Sequence, residues 1–138
     1  MKKILLMFIS LSAAVLTMSA APKAYTLKSP DGRLEMHIST ADGIRYDVLH
    51  EGMLLLERSQ ASMTLGDGTL YGGPAMKVRR VRTRSVDEVA EAVAYKKFEV
   101  RENFNELELD CGGYKVIFRA YDDACAYRFI SLSHTPFT

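Results

Sequence analysis

Carboxylates, thiols and imidazoles are the groups in this sequence whose types and spacing could do chemistry. Asp122 and Asp123 are neighbours, and Glu106, Glu108 and Asp110 recur at every second position. Two carboxyl groups can divide the work of general acid and general base when one is neutral, the other ionised, and a scissile bond lies between them. Adjacent aspartates cannot flank a bond in that way, and Asp122-Asp123 fall in a turn signal, where short acidic side chains bond local backbone. Glu106, Glu108 and Asp110 alternate with Leu107 and Leu109, which places them on the outward, solvated face of a strand. Neither group is expected to move protons. His37, His50 and His134 are scattered without metal-ligand spacing: His37 stands opposite Leu34, Met36 and Ile38 on a strand, His50 precedes the turn Glu51-Gly52, and His134 is near the end of the sequence. No glycine-flanked serine nucleophile or phosphate-cradling glycine loop is present. No catalytic, cofactor-binding or metal-ligating residue is assigned, and the substrate-binding residues are unknown.

The two cysteines, Cys111 and Cys125, lie on either side of one strand. At about 3.3 Å per residue, the strand between them separates their ends by roughly 20 Å. A disulfide needs α-carbons within about 7 Å. Two free thiols are therefore expected, with Cys125 acting as a small buried apolar residue.

The elements that carry these groups are strands. From Glu102 to Ile130 the apolar period is two: Leu107 and Leu109, then Tyr114, Val116 and Phe118, then Tyr127 and Phe129, with turns at Cys111-Gly112-Gly113 and Tyr121 to Ala124. Strands are predicted at 24–28, 33–39, 44–50, 53–57, 61–66, 75–82, 97–102, 105–110, 114–120 and 125–132. Turns at Pro30 to Gly32, Asp42-Gly43, Glu51-Gly52, Gly66 to Gly68 and Gly72 to Pro74 separate them. Short strands with frequent turns predict an all-β, antiparallel β-sandwich. The segment Ser85 to Ala94 disagrees locally, because Ser85-Val86-Asp87-Glu88 is a capping-box pattern and Val86, Val89, Ala90 and Val93 follow helical spacing.

The motifs Asn105 to Asp110 (NELELD), Val116 to Asp123 (VIFRAYDD) and Ala126 to Phe129 (AYRF) occur in that order. Near the other end come Ser29-Pro30-Asp31-Gly32, the alternating Leu34, Met36 and Ile38, a turn at Ala41-Asp42-Gly43 and the strand Ile44 to Val48. In order and spacing this chain resembles, from about Leu27 to Ile130, the N-terminal β-domain of glycoside hydrolase family 97, the periplasmic α-glucosidases and α-galactosidases of Bacteroidetes. The resemblance implies a galactose-mutarotase-like sandwich in front of a (β/α)8 barrel that holds the catalytic carboxylates and most ligands of a calcium ion. It also implies an extended rather than helical conformation over 85–97, since β-context overrides propensity.

A barrel of that kind needs on the order of 250 residues, more than the 138 here, so the sandwich is expected to be incomplete and truncated before its catalytic barrel. Lys2-Lys3, the apolar run Ile4 to Leu16 and the small residues Thr17 to Ala21 form the three regions of a secretory signal peptide, assigned to 1–20. Residues 21–138 are then the partial sandwich, soluble in the periplasm, with no cysteine near the cleavage region to carry a lipid. Removing Lys2 and Lys3 leaves 16 of the 18 basic residues against 17 acidic ones, which gives no bulk attraction to nucleic acid or membrane. The run Lys77 to Arg84 is expected to be a solvated edge strand, its basic side chains discouraging sheet-to-sheet pairing.

The chain contains no tryptophan. Tyr46, Phe98, Tyr114, Phe118, Tyr127 and Phe129 fall on apolar registers and are expected in the core, leaving Tyr71 as the exposed aromatic that could meet a glycan. Both registers of Tyr114 to Leu132 are apolar, as in strands covered on two faces. Ile117, Ile130 and Leu132 should therefore leave a bare patch unless the rest of the β-domain and the barrel cover them. The function expected is that of a non-catalytic domain of an α-glycoside hydrolase, inactive alone. The alternative is a freestanding periplasmic module that binds a glycan or protein.

Overall fold

A computed structural model describes residues 23–91 and 99–133. The signal-peptide assignment, Phe98, the segment 92–97 and His134 lie outside them. Two four-stranded antiparallel meanders face each other. The first runs β1 (Ala24–Lys28), β2 (Leu34–Ser39), β3 (Arg45–His50) and β4 (Met53–Gln60), paired in chain order. A two-stranded hairpin follows, β5 (Met63–Thr64) with β6 (Leu70–Tyr71), and then the second sheet, β7 (Arg80–Glu91), β8 (Glu99–Asp110), β9 (Tyr114–Tyr121) and β10 (Cys125–Ser131).

Alternation explains the packing. Leu34, Met36 and Ile38 turn one face of β2 inward, with Leu27 of β1 and Val48 of β3 beside them. Leu107, Leu109, Val116, Phe118 and Ala120 turn the inner face of β8 and β9 toward them. Two polar ties fix how the sheets meet. The Asn105 side-chain amide donates to the Lys28 carbonyl at 2.8 Å, and the Asp31 amide donates to Asp122 Oδ1 at 2.9 Å. Asp122 therefore joins the turns of opposite sheets, where local backbone bonding had been expected.

Several boundaries move for physical reasons. The predicted strands 97–102 and 105–110 are one, because β8 is laddered along its whole length to β7, from Arg80↔Asp110 to Glu91↔Glu99. Residues 85–91 are extended, as the resemblance implied. Ser85 bonds Asn105 across the ladder, Val86 lies opposite Phe104, and Asp87 accepts from Nε and Nη2 of Arg101, each at 2.9 Å. The strand predicted at 75–82 begins only at Arg80, since Met76 folds back on Gly73 in a turn and Arg79 bonds the Asp110 carbonyl just outside the ladder. The basic run therefore leads into β7, an edge strand, as expected. The strand predicted at 61–66 shrinks to Met63–Thr64 and pairs with Leu70–Tyr71, which the pattern did not reveal.

Burial brings further corrections. Tyr127 is 40% exposed on the outermost strand β10, although its ring still meets Tyr46 and Phe118. Ile117 is buried, so the bare apolar surface expected over Tyr114 to Leu132 is confined to β10 and to Leu132 just beyond it. The larger bare surface is β4, an edge strand. Met53 is 69% and Leu55 60% exposed, with Leu54 and Leu56 exposed beside them. No charge interrupts that run, and a long apolar edge is a site of intermolecular pairing. The chain is expected to self-associate, and Leu55→Lys to shift it toward monomer in sedimentation velocity. An unchanged distribution would show that β4 is not the adhesive edge.

Candidate functional site: the charged outer face of the second sheet

The outward faces of β7 to β10 carry a ladder of charge that the register sets in rows. Arg84 lies opposite Glu106, which lies opposite Arg119; one row along come Arg82, Glu108, Ile117 and Arg128. Alternation puts all of these on one side of the sheet. Glu106 was expected to be solvated, and it is instead 5% exposed. Phe104 fills the adjacent row under 5.2 Å contact with Tyr121, and the Arg119 guanidinium lies 4.2 Å from the Phe104 ring centre. Those side chains remove the Glu106 carboxylate from water.

Two guanidiniums compensate it. Arg84 Nε donates to Glu106 Oε1 at 2.8 Å and Arg84 Nη2 to Oε2 at 3.3 Å, while Arg119 Nε donates to Oε2 at 2.7 Å. Burial pushes the Glu106 carboxyl up, but the hydrogen bonds from Arg84 and Arg119, reinforced by their charges, outweigh it and hold the carboxyl below its ordinary value. Glu106 is thus an ionised structural anion between two cations and not a proton donor. Its neighbour Glu108 receives the Lys115 ammonium at 2.9 Å.

Among the described residues, the other groups singled out from the sequence do not converge on a reactive centre. Displaced carboxyls beyond this face, Asp31, Glu35, Asp67 and Asp87, are all displaced downward, in each case chiefly by hydrogen bonds they accept. A general acid for glycoside cleavage needs the opposite shift. Burial pushes both the Cys111 and the Cys125 thiols up, and both cysteines are free and half-buried. They remain thiols rather than thiolates, and thiolate is the nucleophilic form. His37 is exposed and bonded to Glu35, and His50 closes β3.

Tyr71, expected to be exposed, is 6% exposed. Its ring stacks on Tyr114 with centres 4.0 Å apart, and its hydroxyl lies 3.2 Å from Ser131 Oγ. The Tyr114 hydroxyl in turn accepts the Gly72 amide at 2.9 Å. A stacked tyrosine inside the core presents no platform to a sugar. Sequence reasoning missed the Arg84–Glu106–Arg119 triad because its members come from three strands. The available signal was the repeat Arg80, Arg82, Arg84, which alternates like Glu106, Glu108 and Asp110 with opposite sign.

Comparisons with known proteins bear on this sandwich as a whole. The retaining alpha-galactosidase of Bacteroides thetaiotaomicron is 40% identical over 118 residues, covering 85% of this chain and 18% of that protein. The chain thus spans less than a fifth of that relative's length. A Glycoside Hydrolase Family 97 enzyme in complex with acarbose, from Pseudoalteromonas sp. strain K8, shares the fold with a TM-score of 0.65 at 20% identity, over 76% of this chain and 17% of that one. A beta-arabinopyranosidase structure matches over 76% of this chain and 18% of that one, with a TM-score of 0.63 and 25% identity. Residues 27–137 match the family described as Glycosyl-hydrolase 97 N-terminal, nearly the whole of the sandwich. With the family match running the length of both sheets, this chain belongs to the N-terminal domain family of glycoside hydrolase 97.

Proposed function

We propose that this sandwich is the supporting N-terminal domain of a periplasmic α-glycoside hydrolase, and that it bears against a (β/α)8 barrel in which cleavage takes place. The observation that carries this reading is the 40% identity to a retaining alpha-galactosidase, matched over only 18% of that protein. The chemistry of the sandwich supports it, because the displaced carboxyls are held ionised by their hydrogen-bond partners. The intact enzyme cleaves α-galactosidic or α-glucosidic bonds, and the identity favours α-galactosides. The calcium that the family implies would be held mainly by residues of the barrel. Export follows from the signal peptide at 1–20, which leaves a soluble periplasmic protein.

Domain complementation tests the reading. The chain is mixed with the Bacteroides thetaiotaomicron alpha-galactosidase from which the matched N-terminal segment has been deleted, and hydrolysis of p-nitrophenyl α-galactoside is followed. The chain alone is expected to show no turnover, and adding it to the deleted enzyme to raise turnover roughly tenfold or more, about 1.4 kcal/mol in the effective barrier. Turnover by the chain alone, or a deleted enzyme that is fully active without it, would overturn the supporting role.

A further inference from the structure

The row beside the triad is chemically unfinished. Arg82, Glu108, Ile117 and Arg128 stand in line across the four strands of the second sheet. They line a groove of about 430 Å³ that also takes in Arg84 and Ile130. Glu108 is occupied by Lys115, and Arg84 by Glu106. Among the described residues, the guanidiniums of Arg82 and Arg128 have no hydrogen bond or ion pair, and both side chains are exposed. Ile117, between them, is buried at 5% exposure and forms an apolar floor with Ile130. Three strand spacings of about 4.8 Å put the two arginines roughly 14 Å apart.

We propose that this groove docks an extended protein segment carrying two carboxylates four residues apart with an aliphatic side chain midway, a Glu-x-Leu-x-Glu pattern. In an extended chain, positions i, i+2 and i+4 share a face and i to i+4 spans about 14 Å. The two carboxylates thus reach Arg82 and Arg128 while the central side chain falls between the Glu108 and Ile117 strands, where a leucine reaches over Ile117. Bidentate guanidinium–carboxylate pairs fix the orientation. Aliphatic floor and absent aromatics favour a peptide over an anionic glycan, which binds through hydroxyls, carboxylates and ring faces. The partner that fits is a neighbouring domain of the hydrolase, so the inference rests on the supporting role proposed above and assigns that role a surface.

The test uses the full chain and a fluorescein-labelled peptide containing Glu-Thr-Leu-Thr-Glu, followed by fluorescence anisotropy. A second peptide, Glu-Thr-Leu-Glu-Thr, moves one carboxylate to the opposite face, and polygalacturonate probes a glycan site. The first peptide should bind saturably and more weakly as salt is raised. The shifted peptide and the R82E/R128E double variant should each lose roughly tenfold or more. R82Q/R128Q, which removes charge without reversing it, should lose less, and both variants should melt like the parent because the two arginines are exposed. Equal binding of the two peptides, undiminished binding by R82E/R128E, or tighter binding of polygalacturonate would each overturn the proposal. Complementation by the double variant separates the two readings. If it restores the deleted enzyme as well as the parent chain does, the surface assignment falls and the domain role stands. If the parent chain restores nothing while the peptide binds as expected, the domain role falls and with it the hydrolase as the source of the partner, while the groove stands as a site for an extended acidic segment.

Discussion

Replacing Glu106 with alanine is expected to lower the stability of the sandwich by about 2–3 kcal/mol at neutral pH, and Tm by roughly 10 °C. The loss exceeds that of an ordinary surface ion pair, worth up to about 1 kcal/mol. Glu106 is buried, and its removal strands the Arg119 guanidinium against Phe104. Arg84 is more than half exposed and can return to water, which keeps the loss below that of a fully enclosed pair. Glu106→Gln preserves the shape and one acceptor and should fall between alanine and the parent.

The pH dependence separates charge from packing. The folded carboxyl titrates below its ordinary value of 4.5, so its contribution is present in full above that value and is lost as the pH falls through the lower, folded one. The gap in Tm between parent and Glu106→Ala should therefore be constant from pH 7 down to about 5 and should close only in stronger acid. Thermal melts across that range decide the matter. A variant that melts within a degree or two of the parent at pH 7 would show that the triad does not hold the outer face together.

Gly72→Ala should be at least as damaging, with a loss of about 3–4 kcal/mol from left-handed strain and overpacking together. Gly72 has a φ of +74°, and a β-carbon built there would lie well inside van der Waals contact with the Ala61 carbonyl oxygen. That oxygen belongs to backbone, so no side-chain rotation relieves the contact. The same glycine accepts the Ile44 amide at 2.9 Å and donates to Tyr114 at 2.9 Å, and Ile44 and Ala61 are fully buried. A shift of Gly72 thus disturbs the first sheet, the small hairpin and the aromatic stack at once. Gly32 supplies the control: its φ is +75° and nothing lies within 4 Å of the β-carbon position. Gly32→Ala should cost only the backbone strain, about 1–2 kcal/mol. If the two variants unfold at the same denaturant concentration, the close approach at Gly72 carries no weight.

Much of this fold is local, and what is local was legible in the sequence. Period-two alternation placed β1 to β3, β9 and β10 to within a residue or so, and Glu51-Gly52 marked a hairpin whose two residues have positive φ, 49° and 79°. The order of the NELELD, VIFRAYDD and AYRF motifs pointed to the family that the match over 27–137 established. The free cysteines also followed from strand geometry alone. Residues 85–91 show where local information ended, since their helical spacing is overridden by a twelve-residue ladder with β8.

Tertiary structure alone decided the rest, because alternation assigns a residue to one of two faces and does not say what covers that face. Leu107 and Glu106 were assigned correctly to opposite faces, yet both are buried: one meets the other sheet, the other lies beneath two arginines and an aromatic ring from its own sheet. The same gap misplaced Tyr71, whose loop signal gave no hint that Tyr114 would stack on it. It also hid the four exposed apolar residues of β4, a run suited to a buried strand that the topology leaves at an edge. The sequence by itself determined most of the strands and the face of its strand that each residue takes; only the stacking of eight strands determined the depth at which each one lies, and depth sets whether a charge is solvated, paired or left free to bind.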